Sequence, residues 1–393
     1  MQTPFFHIEI PTQAQDHKIL ANILLGADSL AMSEIAAQFN GLTVVVTNDT
    51  RSAVRLEKEL AQLSPLNVTF FPDWETLPYD SFSPHQDIIS ARLSALFHLQ
   101  QRKQGIFILP IATLMQRVCP PSYLQHRVLL INKGDRFVIE TLRLQLEKSG
   151  YRAVEQVLEH GEYAVRGALL DLFPMGSAVP FRLDFFDDEI DSIRTFDVDT
   201  QRTLQEIDQI NLLPAHEFPT DSLGIEFFRS QFRAAFGEIR RDPEHIYQQI
   251  SKGTLAAGIE YWQPLFFEEM ATLFDYFPAN TLFITGEQNQ TQGERFYADA
   301  EQRFESRRVD PMRPLLSPDK LWLRIDDVNR HLKHYPAIAL KTEKVRSSAR
   351  QKNLAITLLP PLTIQSQQKE PLHQLRQFIE HFKGNILFIV ETE

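Results

Sequence analysis

Two patterns of apolar residues alternate through the first third of the chain. One repeats at helical spacing, in SLAMSEIAAQF and TRSAVRLEKELAQL. The other consists of short runs that are apolar almost throughout, namely LTVVVT, NVTFFP and GIFILP. Runs of this kind are typical of strands that are buried on both faces of a parallel sheet. The alternation therefore predicts a βαβ series and an open α/β sheet.

The pattern changes after Pro120-Pro121. Four short strand-like runs follow at hairpin spacing: EYAVRG, ALLDLFP, PFRLDFFDDE and IDSIRTFD. Turn residues separate them, which predicts a small and mainly antiparallel module. From Pro214 the apolar spacing becomes helical again, apart from one further strand, NTLFIT.

Two segments rich in proline or charge predict connections, SRRVDPMRPLLSPDK at 306–320 and EKVRSSARQKN. The last segment, PLHQLRQFIEHFKGNILFIVETE, has the pattern of a helix followed by a buried strand. One such strand cannot be covered on both faces by a single helix. This pattern predicts that the chain stops inside a further domain.

Composition narrows the function classes. The 393 residues are 43% hydrophobic, with Cys119 as the one cysteine and no apolar run near the roughly 20 residues that span a bilayer. The amino terminus lacks a secretory signal pattern, so a cytoplasmic protein without membrane contact is expected. With 40 basic and 51 acidic residues the net charge is −11, which disfavours nucleic acid as the main partner. Non-specific duplex binding through a local basic patch stays open as an alternative.

A degenerate phosphate-binding loop lies near the amino terminus. A working loop has the pattern G-x-x-x-x-G-K-[ST], in which backbone N–H groups and the lysine hold phosphates and the hydroxyl ligates magnesium. Aligned on Gly26, this sequence keeps only that glycine and the final Ser33. Ala31 replaces the second glycine, Met32 replaces the lysine, and Asp28 adds negative charge where polyphosphate would lie. The segment is therefore interpreted as a loop that opens an ordinary helix.

The other candidates for chemistry have simpler explanations. Cys119 has no evident histidine partner, and the histidines show no metal-binding spacing. The acidic residues at 187–189 and 191 fall at a predicted hairpin tip, where solvated turn charges are common. The residues predict neither a catalytic constellation nor a metal site.

One strand presents a candidate binding surface. In PFRLDFFDDE a period of two places alternate side chains on opposite faces, with Phe181, Leu183 and Phe185 against Arg182, Asp184 and Phe186. An exposed arginine beside a large aromatic residue is typical of a protein–protein hot spot. Arg166, at the end of the preceding strand, extends this patch. The alternative is that Phe186 is buried against another element and that the arginines are only solvated.

Long ungapped segments carry a resemblance to a known family. HGEYAVRGALLDLFPMGSAVPFRLDFFDDEIDSIRTFDVDTQRTL resembles the second domain shared by the excision-repair protein UvrB and the bacterial transcription-repair coupling factors, the Mfd family. Similar to Mfd in particular are FPDWETLPYDSFSPHQDIISARLSAL, NLLPAHEFPTD, RDPEHIYQQISKGTLAAGIEYWQPLFF and VDPMRPLL. The resemblance covers nearly the whole chain, which is identified as the UvrB-like, N-terminal region of a member of this family.

The resemblance implies that an ancestral nucleotide site has been lost. UvrB has a working P-loop at the position of Gly26–Ser33 and an acidic pair after a later strand. Thr285 and Gly286 stand where that pair would be, and Met32 stands where the lysine would be. No cofactor is therefore expected in this chain. The short path from Trp74 to Arg92 also leaves no room for the hairpin with which UvrB clamps DNA.

The resemblance also implies a partner, because the shared second domain is the docking site for UvrA. Arg166, Arg182 and Phe186 match the family's UvrA contacts, with Arg194 and Arg202 as weaker candidates. Replacing the arginines with Ala or Glu is expected to abolish UvrA binding while leaving the melting temperature nearly unchanged.

The resemblance and the change of pattern along the chain together predict an α/β protein in four parts. These are a degenerate UvrB-like domain 1a at 1–126, an inserted β-rich UvrA-binding domain 2 at 127–213, a domain 1b that packs on 1a at 214–349, and a linker with the start of a further α/β domain at 350–393. A monomer is expected.

The remaining family properties belong to regions outside this chain. The resemblance implies that RNA polymerase and DNA bind to those regions, that a C-terminal ATP- and Mg-dependent translocase removes stalled polymerase, and that the C-terminal region masks the UvrA face. This chain is then a UvrA-recruiting module of transcription-coupled excision repair and is no enzyme by itself. The alternative function is that of a UvrB-like, ATP-dependent DNA-binding repair protein.

Overall fold

The short apolar runs form strands and the segments with helical spacing form helices. The structure is a computed structural model that describes residues 5–24, 26–237, 239, 241–357, 359–360, 362, 370–384 and 386. The strands in this part of the chain are, in order, β1 (His17–Ala21), β2 (Leu42–Thr47), β3 (Val68–Phe70), β4 (Gly105–Pro110), β5 (Leu129–Asn132), β6 (Arg152–Ala153), β7 (Glu162–Arg166), β8 (Leu169–Phe173), β9 (Phe181–Phe186), β10 (Glu189–Phe196), β11 (Thr203–Ile207), β12 (Gln209–Leu212), β13 (Thr281–Thr285), β14 (Ala337–Leu340) and β15 (Gln351–Asn353).

Helices connect these strands. They are, in order, α1 (Ala27–Gln38), α2 (Thr50–Leu63), α3 (Gln86–Gln101), α4 (Ile111–Met115), α5 (Pro121–Gln125), α6 (Ile139–Lys148), α7 (Ser222–Phe236), α8 (Ile246–Ser251), α9 (Asn289–Arg307), α10 (Pro318–Leu321), α11 (Ile325–Leu332) and α12 (His373–His381). Two 3₁₀ helices cover Ile259–Phe266 and Leu273–Asp275. None of the described helices is both long and apolar enough to cross a membrane.

The large sheet is parallel, as the sequence predicts. Its strand order is β15-β1-β14-β13-β2-β4-β3, and its strand pairs are all parallel. Every residue of β2 and of β4 is buried, because alternate side chains enter two different cores. Val44 and Val46 belong to one apolar cluster, and Val45 belongs to the other, with Met32. An apolar run without alternation is therefore the pattern expected of these central strands.

The small sheet is mostly antiparallel and carries the candidate binding surface. Its strand order is β11-β10-β9-β8-β7-β6, with only the β6–β7 pair parallel, and β5 pairs with β12 in a separate ribbon. Burial alternates along β9, whose phenylalanines 181 and 185 enter the core. The core-face assignment made from the period of two is therefore confirmed. The acidic pair Asp187-Asp188 forms the turn between β9 and β10, with Asp187 at a positive φ of 59°.

The two sheets share one core. The apolar cluster on one side of the large sheet includes Phe107 of β4 and continues to Leu170 and Leu183 of the small sheet. Polar contacts reinforce this joint, since the Gly176 N–H donates to Ser90 Oγ at 2.8 Å. On the path from Trp74 to Arg92, residues 74–85 form no helix or strand, and α3 begins at Gln86.

The end of the parallel sheet differs from the prediction. The segment EKVRSSARQKN, predicted as a linker, ends in β15, which pairs with β1 through Ile19 and Gln351. Leu354 beyond it is buried in the apolar cluster that contains Met32. The sheet thus continues past residue 349, where the sequence placed a boundary. The final helix is confirmed as α12, whereas nearly all of the predicted last strand lies outside the described residues.

The buried carboxyl group of Glu260 makes the stability of the fold depend on pH. Glu260 lies in the 3₁₀ helix Ile259–Phe266, and its Oε2 accepts a hydrogen bond from Ser83 Oγ at 2.9 Å. Burial raises the pKa of Glu260 to about 7. Between about pH 4.5 and 7 the folded chain therefore binds more protons at this site than the unfolded chain does. This carboxyl consequently costs increasing stability as the pH rises through that window.

We expect Glu260→Gln to stabilise the chain at pH 8 by about 1–3 kcal/mol, because the amide keeps the acceptor and removes the buried charge. At pH 5 the gain should shrink severalfold, since the carboxyl is then mostly protonated in the fold. Thermal melts of variant and parent at both pH values measure the difference, and comparison at equal pH cancels the contribution of other titrating groups such as His216. Glu269→Gln, at an exposed position nearby, is the control. An equal gain at both pH values would contradict this assignment.

Candidate functional site

The degenerate P-loop still turns sharply at Gly26. A carboxylate of the chain itself, that of Asp28, lies at the helix N-terminus where a phosphate would bind. Gly26 has a φ of 88° immediately before α1, a conformation that glycine adopts without strain. Asp28, in the first turn of α1, accepts a hydrogen bond from the Gly26 N–H at 3.0 Å. Its other oxygen lies 2.5 Å from an Arg55 guanidinium nitrogen. A helix N-terminus attracts anions, and here the chain's own carboxylate occupies that position.

The other loop residues present no phosphate-binding group. Ala31 and Met32 are buried in an apolar cluster, and the Ser33 hydroxyl donates to the Leu63 carbonyl at 3.1 Å. The Arg55 guanidinium, which contacts Asp28 of this loop, also pairs with Glu59 at 2.7 Å. The guanidinium is therefore neutralised by two carboxylates of the chain.

A cleft of about 220 Å³ remains at the carboxyl ends of β2 and β13. Met32 lines it on one side, and Thr285 and Gly286 line it on the other, so the structure brings the two degenerate segments together. The neighbouring carboxylate, Glu287, accepts a hydrogen bond from the Thr342 hydroxyl at 3.2 Å. The cleft thus brings together positions 32, 285 and 286, which carry neither the lysine nor the carboxylates of a working nucleotide site.

Three polar residues form a row across the face of the small sheet opposite the shared core. Cross-strand pairing sets Asp171 of β8 beside Arg182 of β9, and Arg182 beside Arg194 of β10. Arg182 holds Asp171 with two hydrogen bonds, from Nε to Oδ1 at 2.6 Å and from Nη2 to Oδ2 at 2.9 Å. Its guanidinium carbon lies 5.0 Å from the centre of the Phe196 ring. The bond to Asp171 raises the pKa of Arg182, which remains charged.

Arg166 and Phe186 are the more accessible members of this surface. The Arg166 side chain is 52% exposed and donates one hydrogen bond to Asp171 Oδ2. Phe186, the last residue of β9, is 80% exposed beside the turn. The alternative that Phe186 is buried against another element is therefore wrong. We use the name outer face for the surface formed by Arg166, Asp171, Arg182, Phe186 and Arg194.

Of the two weaker candidates, Arg194 belongs to the outer face and Arg202 lies next to it. The Arg194 guanidinium donates to Asp184 at 3.1 Å, so its charge is paired within the small sheet. Arg202 is exposed and directly precedes Thr203, whose hydroxyl oxygen lies 3.4 Å from Arg182 Nη1. The structure thus places all five predicted residues on or next to one face of the small sheet.

Sequence reasoning missed the carboxylate that organises the face. Asp171 is 1% exposed, although it lies within the strand LLDLF, which is otherwise apolar. A single acid in such a strand was the available signal, since a buried charge requires a partner. Its burial also argues against the expectation that Arg182 can be replaced without loss of stability. Removing Arg182 would leave the buried carboxylate with Arg166 as its partner on this face.

Cys119 has the surroundings of a structural thiol. It is fully buried, with Sγ 3.6 Å from the Tyr276 hydroxyl. Burial raises the pKa of the thiol to about 12, which keeps it protonated and poorly nucleophilic.

Comparison with known proteins links the small sheet and the whole chain to DNA repair. Residues 129–218 match the family described as the UvrB interaction domain. Over all 393 residues the chain is 77% identical to a transcription-repair-coupling factor of Haemophilus influenzae, of which it covers 34%. It is 55% identical to that of Escherichia coli over 99% of the chain, and 26% identical to that of Bacillus subtilis over 69% of the chain. The chain spans about a third of the length of the first two relatives.

Proposed function

Because this chain carries a UvrB interaction domain and corresponds to the N-terminal region of the transcription-repair-coupling factors, we propose that it recruits UvrA through the outer face. The observation that carries the proposal is the exposed ring of Phe186 on the same face of the small sheet as arginines that are anchored on a buried carboxylate. Aromatic and arginine side chains dominate protein–protein hot spots, because they bury a large area with little loss of conformational freedom.

Size-exclusion chromatography of the chain mixed with UvrA tests this proposal directly. We expect one shared peak at micromolar concentrations of both proteins. Two separate peaks under those conditions would contradict recruitment by this chain alone.

In the full-length proteins we place the motor outside this chain. There a C-terminal ATP-driven translocase acts on DNA and removes stalled RNA polymerase, and the C-terminal region masks the outer face until UvrA is needed. The chain then supplies recruitment in the cytoplasm without hydrolysing ATP. Its net charge of −11, the methionine at position 32 and the pairing of Arg55 with Asp28 and Glu59 in the cleft support this division of labour.

A second candidate function, that of a UvrB-like ATP-dependent DNA-binding protein, is favoured by the surviving cleft between β2 and β13. We expect equilibrium dialysis with ATP and magnesium to show no binding with a Kd below about 1 mM, a binding free energy of about 4 kcal/mol. Asp28 already occupies the helix N-terminus, so Met32→Lys alone should not restore binding.

Tighter binding by the unmodified chain, unimproved by Met32→Lys, would favour the second candidate. The matched control for the cleft is Asp28→Asn in the Met32→Lys background. That change removes the competing charge, so any regained affinity should appear there and not in Met32→Lys alone.

A further inference from the structure

Asp171 is a buried carboxylate that needs both arginines. It lies in the middle of β8, opposite Ala164 on one side and Arg182 on the other. Taking an ionised carboxylate out of water is costly unless hydrogen-bond donors replace the water. Asp171 receives three such bonds, two from Arg182 and one from Arg166. The three side chains together carry a net charge of +1, from two guanidinium groups and one carboxylate.

Nearly all of the hydrogen-bonding groups of Arg182 are engaged by other residues of the small sheet. Its Nε and Nη2 are bound to Asp171, and its Nη1 lies 3.4 Å from both the Gln201 carbonyl oxygen and Thr203 Oγ1. Phe196 covers one face of the guanidinium, and the side chain is only 15% exposed. Little of Arg182 is therefore available to a partner.

Arg166, by contrast, is mostly available to a partner. One of its nitrogens is bound to Asp171, and half of the side chain remains exposed. A free arginine loses much rotamer freedom when a partner immobilises it, and an arginine that is already held loses less.

We propose that Asp171 is a positioning residue of the outer face: Arg182, whose guanidinium packs against Phe196, holds Asp171, and Asp171 pre-orients Arg166 to meet an acidic group of a partner that also covers the Phe186 ring. This inference rests on the proposed function, since UvrA is taken as the partner. It assigns Arg182 an indirect role, and it makes Arg166 and Phe186 the side chains that touch UvrA. The surplus positive charge of the trio makes a carboxylate the complementary group.

The test compares two buried carboxylates of the same sheet. Glu162 of β7 is also nearly buried and pairs with Arg152 at 2.5 Å, but it holds the backbone N–H groups of Leu158 and Glu159 instead of an outer-face arginine. We expect Asp171→Asn and Glu162→Gln both to lower the melting temperature. Only Asp171→Asn should weaken UvrA binding, by about tenfold, as measured by isothermal titration.

A double-mutant cycle separates positioning from general destabilisation. In an Arg166→Ala background, Asp171→Asn should change the affinity less than about threefold, because the residue through which it acts is absent. If Asp171→Asn does not fold, Arg182→Lys retains a cation beside Asp171 and loses the two-bond fork. It should weaken binding in the parent chain and not in the Arg166→Ala background.

The outcomes distinguish this inference from the function it depends on. Equal losses of affinity from Asp171→Asn and Glu162→Gln, or additive effects in the cycle, would overturn the positioning role. If Phe186→Ala abolishes binding while Asp171→Asn has no effect, recruitment through the outer face stands and the positioning role is wrong. Failure of the unmodified chain to bind UvrA would overturn both.

Discussion

Phe186→Ala is expected to reduce the affinity of the chain for UvrA by at least about 30-fold, a loss of about 2 kcal/mol or more, which is the range of a hot-spot aromatic residue. The ring is the largest exposed apolar group of the outer face, at the end of β9, on the face that carries arginines whose charge is already partly balanced. Its removal takes away most of the apolar area that a partner could bury there.

The same substitution should leave the fold intact. Phe186 is 80% exposed, so truncation creates no cavity and leaves no buried polar group unpaired. We expect the free energy of unfolding to change by no more than about 0.5 kcal/mol. Thermal melts and co-elution with UvrA, measured on one preparation, check both parts of the prediction.

Phe82→Ala is the matched control, because Phe82 is also a highly exposed phenylalanine but lies in the loop between β3 and α3. It should co-elute with UvrA as the parent chain does. Equal loss of binding in both variants would point to a nonspecific apolar effect. A melting temperature that falls with Phe186→Ala would show that the ring supports the fold.

The strands and helices that the sequence predicted well are those whose local pattern agrees with their burial: α2 has one buried face, and β2 and β4 are buried throughout. α2 begins and ends at the predicted residues, since Asp49 caps it by accepting a hydrogen bond from the Ser52 N–H at 2.7 Å. β2 and β4 are buried on both faces, so their apolar runs needed no knowledge of the rest of the chain. In both cases local sequence and tertiary environment favour the same structure.

The missed elements depend on distant parts of the chain. β15 is the polar segment Gln351–Asn353, and only its pairing with β1, more than 300 residues away, makes it a strand. The long helix α9 is rich in polar residues, and its small contact surface includes Gly293, which lies against Ile325 and Met115. Such elements form because of tertiary contacts, which a pattern along the chain does not contain.

The candidate site likewise has features that the local sequence predicts and features that depend on distant residues. The period of two in β9 was enough to place Arg182 and Phe186 on one face. It did not show that Arg182 is mostly buried, because that depends on Asp171 in β8 and on Phe196 in β10. Likewise, the degenerate P-loop was visible in the sequence, but the occupation of its helix N-terminus by Asp28 required the position of Arg55.

The largest effect on stability is expected from the ion pair that joins the first half of the chain to the segment after the small sheet. Arg92 of α3 and Glu217 are 0% and 2% exposed, and Arg92 Nε lies 2.5 Å from Glu217 Oε1. Arg92 Nη1 also donates to the Pro72 carbonyl at 2.7 Å, and the guanidinium lies 4.4 Å from the centre of the Phe71 ring. One side chain thus ties together three segments that are distant in sequence.

Arg92→Met should destabilise the fold by about 3–5 kcal/mol, because it leaves the Glu217 carboxylate buried without its cation. In thermal melts this corresponds to a fall of roughly 4–6 °C for a chain of 393 residues. Arg92→Met combined with Glu217→Leu should recover much of the loss, since the uncompensated charge is then absent. Arg303→Ala, which breaks the more exposed pair with Asp299, should cost less than about 1 kcal/mol. If the double variant melts no higher than Arg92→Met, the contacts of Arg92 with Pro72 and Phe71 hold the joint, and the ion pair does not.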